Sequence, residues 1–422
     1  PGKMPVRLNT APPSPVGFFF GRDKAAKVCQ AANSDGKSRG IRIHFAANTA
    51  TVWFQKPRFP VMEMATPAIQ APKAAKALLL NVPSYGDTVL MVGERGIILK
   101  RDFAVGDVAQ GVKDNEGKVW TQAKVPVSVN LTGVQFVNDS LAFVVGHDGV
   151  VLKSTDAGAS WTKVFDGIKA NEQVVAAAKK KMDDMQSRYD AASPAEQDKM
   201  NEALEAATFA FEDAEAGARF GPARPMLDVW FKDANTGWVV GSYGQIFETN
   251  DGGSTWTLIA NRLDNPDFRH YNGLYGDETG LMLIAGEAGR VYISNDFGAT
   301  WTRSDTGYNG HFYGTVVTRN DQGQPIVFAY GFGGNVYRLG AGATAWWQLK
   351  SPTKESLVQG ITVGKTALFV DQKGRLVSTD ETGTVLKMVS AEEGKPVTGM
   401  ALVNNTLVLS GQNGPRTIAM PR

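Results

Sequence analysis

Apolar and polar residues along the chain follow a repeated order from about residue 76 onward. One copy is a short apolar run that ends in glycine, a polar turn, a second glycine and another apolar run, as in Val92-Gly93-Glu94-Arg95-Gly96-Ile97-Ile98-Leu99. Further copies begin at Val145, Val240, Ala285, Tyr330 and Val370, and a less regular seventh begins at Leu409. Most are about 40 to 53 residues apart, a period typical of a four-stranded propeller blade. The pattern predicts an all-β fold, a seven-bladed β-propeller over residues 76–422.

The glycines of each copy flank a tight turn between two strands. Glycine adopts positive φ without steric cost, and hairpin turns with the correct twist need it. We therefore expect both glycines of a turn, such as Gly241 and Gly244, to have positive φ.

One interval between copies, from Gly146 to Gly241, is about fifty residues too long for a blade. Its first half places apolar residues at helical spacing, at Val174, Ala178, Met182, Met185 and Tyr189. The second half does the same at Met200, Leu204, Ala207, Phe211 and Ala214, after a Ser193-Pro194-Ala195-Glu196 capping box. We predict a helical, coiled-coil hairpin over residues 167–222, inserted between blades 2 and 3.

Residues 1–75 do not follow the repeat. They are rich in proline and alanine, and their short apolar runs have no partner pattern. We expect a poorly structured N-terminal extension.

Three turns carry the spaced motif S/T-x-D-x-G-x-S/T-W, known as the Asp-box. An Asp in a turn accepts backbone N–H groups, Gly takes the left-handed conformation, and Trp packs between blades. The motif therefore predicts a structural role in each turn. The residues concerned are Asp156, Gly158 and Trp161, then Asp251, Gly253 and Trp256, and finally Asp296, Gly298 and Trp301.

With Gly237-Trp238-Val239-Val240-Gly241 and Asp251-Gly252-Gly253-Ser254-Thr255-Trp256, the chain resembles the photosystem II stability/assembly factor family. The resemblance extends over about residues 77–420 and is most specific in the third and fourth blades. It implies a seven-bladed propeller outside the cytoplasm that assists assembly of a membrane complex by binding, without catalysis. The chain looks closer to members in non-photosynthetic bacteria, which are associated with transporters of the resistance-nodulation-division (RND) type. The helical insertion departs from the family pattern and leaves the partner open.

Composition limits the other possibilities. The net charge of +2 gives no electrostatic case for nucleic acid, and the single cysteine, Cys29, allows no internal disulfide. No apolar stretch is long enough for a membrane span. We expect a periplasmic protein, on the family resemblance, although no exporting leader is visible in this chain.

An enzyme and a metal-binding protein are the two other classes that these motifs suggest. Asp-boxes also occur in sialidases and other glycoside hydrolases, but the propeller does not open with their Arg-Ile-Pro-like strand. Only Glu94 and Glu287 occupy equivalent turn positions, where Glu is ordinary. The four histidines are not at metal-ligand spacing, so we expect no metal or cofactor. A glycoside hydrolase or a carbohydrate-binding propeller remains the alternative.

The loops that lead into the innermost strands are the candidate binding residues, since such loops line one face of a propeller. They are rich in Arg, His and Tyr, which interfaces favour. The predicted partner-binding residues are Arg224, Arg262, Arg269, His270, Tyr271, Tyr308, His311 and Tyr313. Together with the hairpin, they favour a non-catalytic scaffold or assembly factor whose partner is a membrane protein complex or transporter.

Overall fold

The computed structural model describes three short strands before residue 54, then residues 60–391 and 393–421. The chain divides into two compact units, Pro1–Arg58 and Phe59–Arg422. In the first unit, strands Val28–Cys29, Gly40–Phe45 and Asn48–Trp53 form one antiparallel sheet. The other residues of the predicted extension before residue 60 lie outside the described part.

The second unit begins before the predicted boundary at residue 75. Short 3₁₀ helices at Pro60–Ala65 and Ala74–Lys76 precede its first sheet. Met64, Ala74 and Ala75 are buried in hydrophobic clusters of this unit, with 2%, 1% and 0% of their surface exposed. These irregularly spaced apolar residues carry no helical or strand period, so the sequence pattern did not reveal their burial.

The described residues from 79 to 419 form seven antiparallel sheets in chain order. In sheets 2 to 7, strands adjacent in sequence are adjacent in the sheet, whereas in sheet 1 Leu79–Asn81 pairs with Thr88–Gly93 and Ile98–Asp102 pairs with Val119–Gln122. Sheet 1 contains Leu79–Asn81, Ser84–Tyr85, Thr88–Gly93, Ile98–Asp102, Val112–Lys113 and Val119–Gln122. Sheet 2 contains Leu131–Phe136, Ala142–Gly146, Val151–Ser154 and Thr162–Phe165. Sheet 3 contains Met226–Phe231, Gly237–Gly241, Ile246–Thr249 and Thr257–Leu258. Sheet 4 contains Tyr271–Gly276, Met282–Gly286, Arg290–Ser294 and Thr302–Asp305.

The remaining sheets follow the same order. Sheet 5 contains Phe312–Arg319, Pro325–Gly331, Val336–Leu339 and Trp346–Leu349. Sheet 6 contains Leu357–Val363, Thr366–Asp371, Leu376–Thr379 and Leu386–Ser390. Sheet 7 has three described strands, Val397–Val403, Thr406–Gly411 and Arg416–Ala419. Its outer edge is covered by sheet 1, where the Glu116 carboxylate accepts a hydrogen bond from the Thr417 backbone N–H at 3.0 Å.

The core lies between sheets. Each hydrophobic cluster of the described part joins two consecutive sheets, and one cluster joins sheet 7 to sheet 1 through Val408, Val89 and Met91. Between sheets 2 and 3, Phe143 stacks on Phe231 with ring centroids 3.7 Å apart. The second strands are buried at nearly every position because both of their faces are covered. This explains why they appear in the sequence as continuous apolar runs.

The two glycines of the repeated turn serve different purposes. Gly244 has φ +69°, whereas Gly241 is extended with φ −162°. The expectation of positive φ at both positions is therefore wrong for the first. A Cβ on Gly241 would lie 2.4 Å from the Pro225 carbonyl oxygen, so this glycine is needed for close backbone approach.

Two long helices, Gly167–Ala191 (α1) and Pro194–Arg219 (α2), occupy the chain segment that connects sheet 2 to sheet 3. They pack against each other. Asp166 caps α1, and the predicted Ser193/Glu196 capping box at the start of α2 is confirmed. Ala207 and Ala214 are buried in the helix pair, while the other apolar seam residues are half-buried. Among the described residues, no helix is long and apolar enough to cross a membrane.

Gln173 fixes α1 to the outer strand of sheet 3. Its side-chain N–H donates to the Trp256 carbonyl at 2.8 Å, and its oxygen accepts the Leu258 N–H at 2.8 Å. The side-chain amide thus pairs with an edge strand of only two residues, Thr257–Leu258, as a neighbouring strand would. The hairpin is therefore attached to sheet 3 near its base.

We expect Gln173→Ala to loosen this attachment, because two hydrogen bonds to an edge strand are lost. The free energy of unfolding should fall by about 1–2 kcal/mol in urea titrations. The Leu258 amide should exchange with deuterium faster. Gln186→Ala, which removes an exposed contact to Asp190 further along α1, is the matched control. Unchanged exchange at Leu258 would contradict the prediction.

Candidate binding face at the channel mouth

One end of the second unit carries the loops that precede the first strands and the turns that follow the second strands. We call this end the loop face. It includes the segment from Phe220 to Pro225 between α2 and sheet 3, the loop from Asp264 to His270 before sheet 4, and the turn at Ser242–Gly244. The Asp-box turns connect third and fourth strands, so they lie at the opposite end.

Each first strand carries a β-bulge at the same place, one residue after its pairing begins. A bulge inserts an unpaired residue and changes the direction of its side chain. The seven bulged residues all line one central cavity of about 590 Å³. They are Leu80, Thr132, Leu227, Asn272, Tyr313, Val358 and Thr398, and we call them the bulge ring.

Three polar members of the bulge ring connect neighbouring first strands. Thr132 donates to the Met226 carbonyl at 2.7 Å, and Asn272 donates to the Phe312 carbonyl at 2.8 Å. Thr398 of the last sheet donates to the Leu79 carbonyl of the first sheet at 2.5 Å. Each acceptor belongs to the residue just before the next bulge. Side chains therefore provide the links that backbone pairing does not supply here.

The position after the bulge is glycine in four sheets, because the next first strand is close. A Cβ on Gly273, for example, would lie 2.7 Å from the Tyr313 carbonyl oxygen. Sheet 3 carries Asp228 at this position instead. One of its oxygens accepts the Val229 N–H and the other accepts the Leu274 N–H of sheet 4, at 2.9 and 2.8 Å. Burial in the channel wall raises the pKa of Asp228 to about 6 despite these bonds.

A second cavity of about 400 Å³ adjoins the channel at the loop face and forms its mouth. Glu287, in the turn after the second strand of sheet 4, lines it together with His311 and Tyr313. One Glu287 oxygen accepts a hydrogen bond from the backbone N–H of His270 at 2.9 Å. The other lies 3.7 Å from Nδ1 of both His270 and His311. Two imidazoles thus flank one carboxylate at the rim.

Tyr243 connects this rim to the helical hairpin. Its ring lies edge-on to His270 with centroids 4.9 Å apart, and the Arg224 guanidinium lies 5.1 Å from its centroid. Arg224 also lies 3.8 Å from Asp213 of α2. Tyr243 has φ +57°, an unfavourable conformation for a bulky residue, and such strain is concentrated at functional sites.

The other predicted binding residues have different surroundings. Arg262 pairs with Glu248 at 3.1 Å and donates to the Gly298 carbonyl, which links sheet 3 to an Asp-box of sheet 4. Tyr271 is 1% exposed and packs edge-on to Tyr292, so it has no surface for a partner.

Tyr308 stacks on Tyr337 and donates to the Phe332 carbonyl. Arg269 is 45% exposed beside Asp267. The structure therefore gathers Arg224, His270, His311 and Tyr313 near the mouth.

Large apolar side chains are also exposed on the loop face. Phe220 ends the hairpin, Phe268 precedes sheet 4, and Phe332 lies in the turn of sheet 5. Their exposed fractions are 69%, 55% and 56%. Exposed aromatic residues near a polar cavity are typical of interaction sites.

The Asp-box turns at the opposite end are internally satisfied. Asp251 accepts the Thr255 N–H and hydroxyl at 2.8 and 2.6 Å, and these bonds lower its pKa to about 2. Gly253 has φ +86°, and the Trp256 indole donates to its carbonyl at 3.2 Å. The same bonds recur at Asp156, Gly158 and Trp161 and at Asp296, Gly298 and Trp301.

In the described part of the chain, no three His, Cys, Asp or Glu side chains are arranged to hold a metal ion. Neither cavity lining contains Lys or Arg. The charged groups on the linings are therefore Asp228, Glu287 and, when protonated, His311.

Solved structures with similar folds are β-propellers. A structure described as YCF48 bound to D1 peptide is 12% identical, with a TM-score of 0.54, over 85% of this chain and 100% of that one. YCF48 from Cyanidioschyzon merolae is 14% identical, with a TM-score of 0.52, over 82% and 97%. The WD40 propeller domain of Doa1 is 9% identical, with a TM-score of 0.51, over 84% and 96%. These likenesses show a mostly β, propeller-type fold.

Sequence comparison gives a narrower result. Residues 220–349 match the family model of the photosynthesis system II assembly factor YCF48. That range holds sheets 3, 4 and 5 and most of the mouth. The match supports likeness to YCF48-type propellers with BNR repeats. No curated protein sequence shows significant similarity to the chain.

Sequence reasoning missed Tyr243, Asn272 and the role of Glu287. Tyr243 could have been recognised from its place in the turn, because the middle residue there needs positive φ and a bulky residue is unusual. Glu287 was expected to be an ordinary turn residue, and nothing in its neighbourhood in sequence shows that two histidines flank it. Asn272 has no local signal, since bulges are set by pairing between strands.

We expect Asp228 to make stability depend on pH. Its folded-state pKa, about 6, exceeds the unfolded value of 3.8, so the folded protein holds this proton more tightly. The resulting stabilisation, about 3 kcal/mol, is fully present below pH 3.8 and is lost as pH rises through about 6. Urea titrations from pH 4 to 7 should show this loss for the wild type and less of it for Asp228→Asn.

Asp148 is the internal control for that experiment. Burial, with Glu63 nearby, raises its pKa to about 6 as well, and it lies in the turn of sheet 2. Asp148→Asn should remove a separate part of the same pH dependence. Identical pH profiles for wild type and Asp228→Asn would show that the channel carboxyl titrates normally.

Proposed function

We propose that the protein is a non-catalytic propeller that binds a membrane protein complex and assists its assembly, with the loop face and the hairpin as contact surfaces. The observation that carries this proposal is the convergence of exposed aromatic residues, a channel mouth that holds Glu287 and His311, and the hairpin base on one end of the fold. The opposite end is occupied by self-satisfied Asp-box turns.

The comparisons support a binding role in kind. The matched family model describes an assembly factor, and one structurally similar YCF48 is bound to a D1 peptide. We extend binding of a protein segment to this chain. The finer proposal, from the sequence resemblance, is that the partner is an RND-type transporter and that binding takes place in the periplasm.

The absence of catalysis is part of the proposal. A sialidase needs three arginines that converge on the substrate carboxylate, and no arginine lines either described cavity. Arg262, one of the predicted site arginines, pairs with Glu248. These observations favour a binding protein over the glycoside hydrolase alternative.

We further propose that the seven sheets are seven blades of a closed ring. Support comes from the hydrophobic cluster shared by sheets 7 and 1 and from the hydrogen bond of Thr398 to Leu79. This contact repeats, at the junction of last and first sheets, the bond that Thr132 makes to Met226 at an internal junction.

Ring closure is tested by Thr398→Val with Thr132→Val as the matched variant. Each substitution removes one hydroxyl that donates to the next first strand, so each should lower the free energy of unfolding by about 1 kcal/mol. Urea titration measures both. A closed ring predicts equal losses, whereas an open ring would leave Thr398→Val without cost.

The binding role is tested by capture from native membranes with the tagged, full-length chain. Phe268→Asn with Phe332→Ser should weaken capture of a membrane complex at least several-fold, because apolar contact area is lost. Asn tolerates the positive φ of +52° at residue 268. Val385→Ser, at the opposite end and 46% exposed, is the control.

The hairpin is tested separately. Gly167 and Pro222 adjoin, since a Cβ on Gly167 would lie 2.6 Å from the Pro222 Cβ, so residues 168–221 can be replaced by two glycines. If the hairpin docks the partner, this deletion weakens capture while the propeller still unfolds cooperatively. If neither the wild type nor the hairpin deletion recovers a membrane protein, the proposed function is refuted.

A further inference from the structure

We propose that the channel mouth is a receptor for one cationic side chain, Lys or Arg, presented by an extended segment of the partner. The inference rests on the proposed function and adds the chemistry of the recognised group. Glu287 at the rim and Asp228 in the channel are its two carboxylates, and Tyr313 and Asn272 of the bulge ring line both cavities.

The charge of the linings selects the occupant. The cavities hold two carboxylates, and no Lys or Arg lines either of them. Two cations of the loop face already have partners. Arg290 pairs with Asp267 at 2.8 Å, and Arg224 lies against Tyr243 and Asp213. A guanidinium or ammonium from outside would therefore meet two carboxylates that have no Lys or Arg beside them on the linings.

The geometry of Glu287 leaves this charge available. The hydrogen bond from the backbone N–H of His270 orients one Glu287 oxygen. The other Glu287 oxygen lies 3.7 Å from Nδ1 of both His270 and His311, which is beyond hydrogen-bond distance. The side chain is 22% exposed, so it is held in place yet open to the mouth. A cation there would gain a charge-assisted hydrogen bond in a partly desolvated site.

The rest of the lining suits the stem of a long cationic side chain. Leu80, Leu227 and the Tyr313 ring line the mouth, whose volume of about 400 Å³ is within the range of small-ligand pockets. Lys and Arg bury their methylene stems along apolar surface while the charged group reaches a polar partner. The exposed Phe268 and Phe332 would contact residues that flank the inserted side chain.

The test uses four degenerate heptapeptide pools that differ only in a fixed central residue: Lys, Arg, norleucine or Glu. Retention of each fluorescent pool on the immobilised full-length protein is measured. We expect the wild type to retain the Lys and Arg pools on the order of tenfold better than the norleucine pool. Glu287→Gln, which keeps an acceptor for His270, should abolish the preference, and Glu287→Lys should shift it to the Glu pool.

Glu278→Gln is the matched control, because Glu278 is exposed in sheet 4 at the opposite end. It should retain the preference, and thermal unfolding should show all variants folded. Equal retention of all pools by the wild type, or a preference that survives Glu287→Gln, overturns the inference. If such a result accompanies capture of a membrane complex by the wild type, only this inference fails. A Lys and Arg preference that depends on Glu287, without membrane capture, would instead count against the proposed function alone.

Discussion

The structure depends on how the first strands of neighbouring sheets approach one another without pairing. Each sheet forms its ladder only internally, so the contacts around the channel are made by side chains and by close backbone approach. A bulge in every first strand directs one side chain toward the channel. The backbone carbonyl just before the bulge can then accept a hydrogen bond from the neighbouring first strand. Thr132, Asn272 and Thr398 donate hydrogen bonds to such carbonyls. The glycines after the bulge allow neighbouring first strands to approach closely, because a Cβ there would clash with the next strand.

This arrangement explains why the fold tolerates a large insertion. Stability is distributed over clusters that each join two consecutive sheets, and the hairpin adds only Ala170 and Val174 to one of them, so the insertion disturbs few contacts. The hairpin leaves and re-enters the fold at Gly167 and Pro222, which adjoin, and the connection between sheets 2 and 3 therefore keeps its geometry. Gln173 and Arg224 then fix the base of the hairpin to sheet 3 and to the loop face.

The sequence predicted the repeat, the mostly β content and the two helices, because these arise from local periodicity in hydrophobic positions. It could not predict the bulge ring, whose members Leu80, Thr132 and Asn272 share no residue type and are selected only by strand pairing. The candidate binding residues of the loops were predicted from residue type, but residue type does not show where a side chain points. Arg262 points to Glu248 and Tyr271 to the interior, whereas the less conspicuous Glu287 lies at the mouth.

A ring of equivalent sheets presents equivalent surroundings on every side, so a specific site must come from departures from the repeat. Asp228 replaces the glycine of four other sheets, and Tyr243 brings a large ring into a turn that strains it. Glu287 has a counterpart in Glu94 of sheet 1, but of the two only Glu287 lies 3.7 Å from two imidazoles, those of His270 and His311. These departures fall in sheets 3 and 4, beside the base of the hairpin and within the range that matches the assembly-factor model. The irregular residues of two neighbouring sheets thus share one end of the fold with the single insertion, which is the arrangement expected if one partner contacts both.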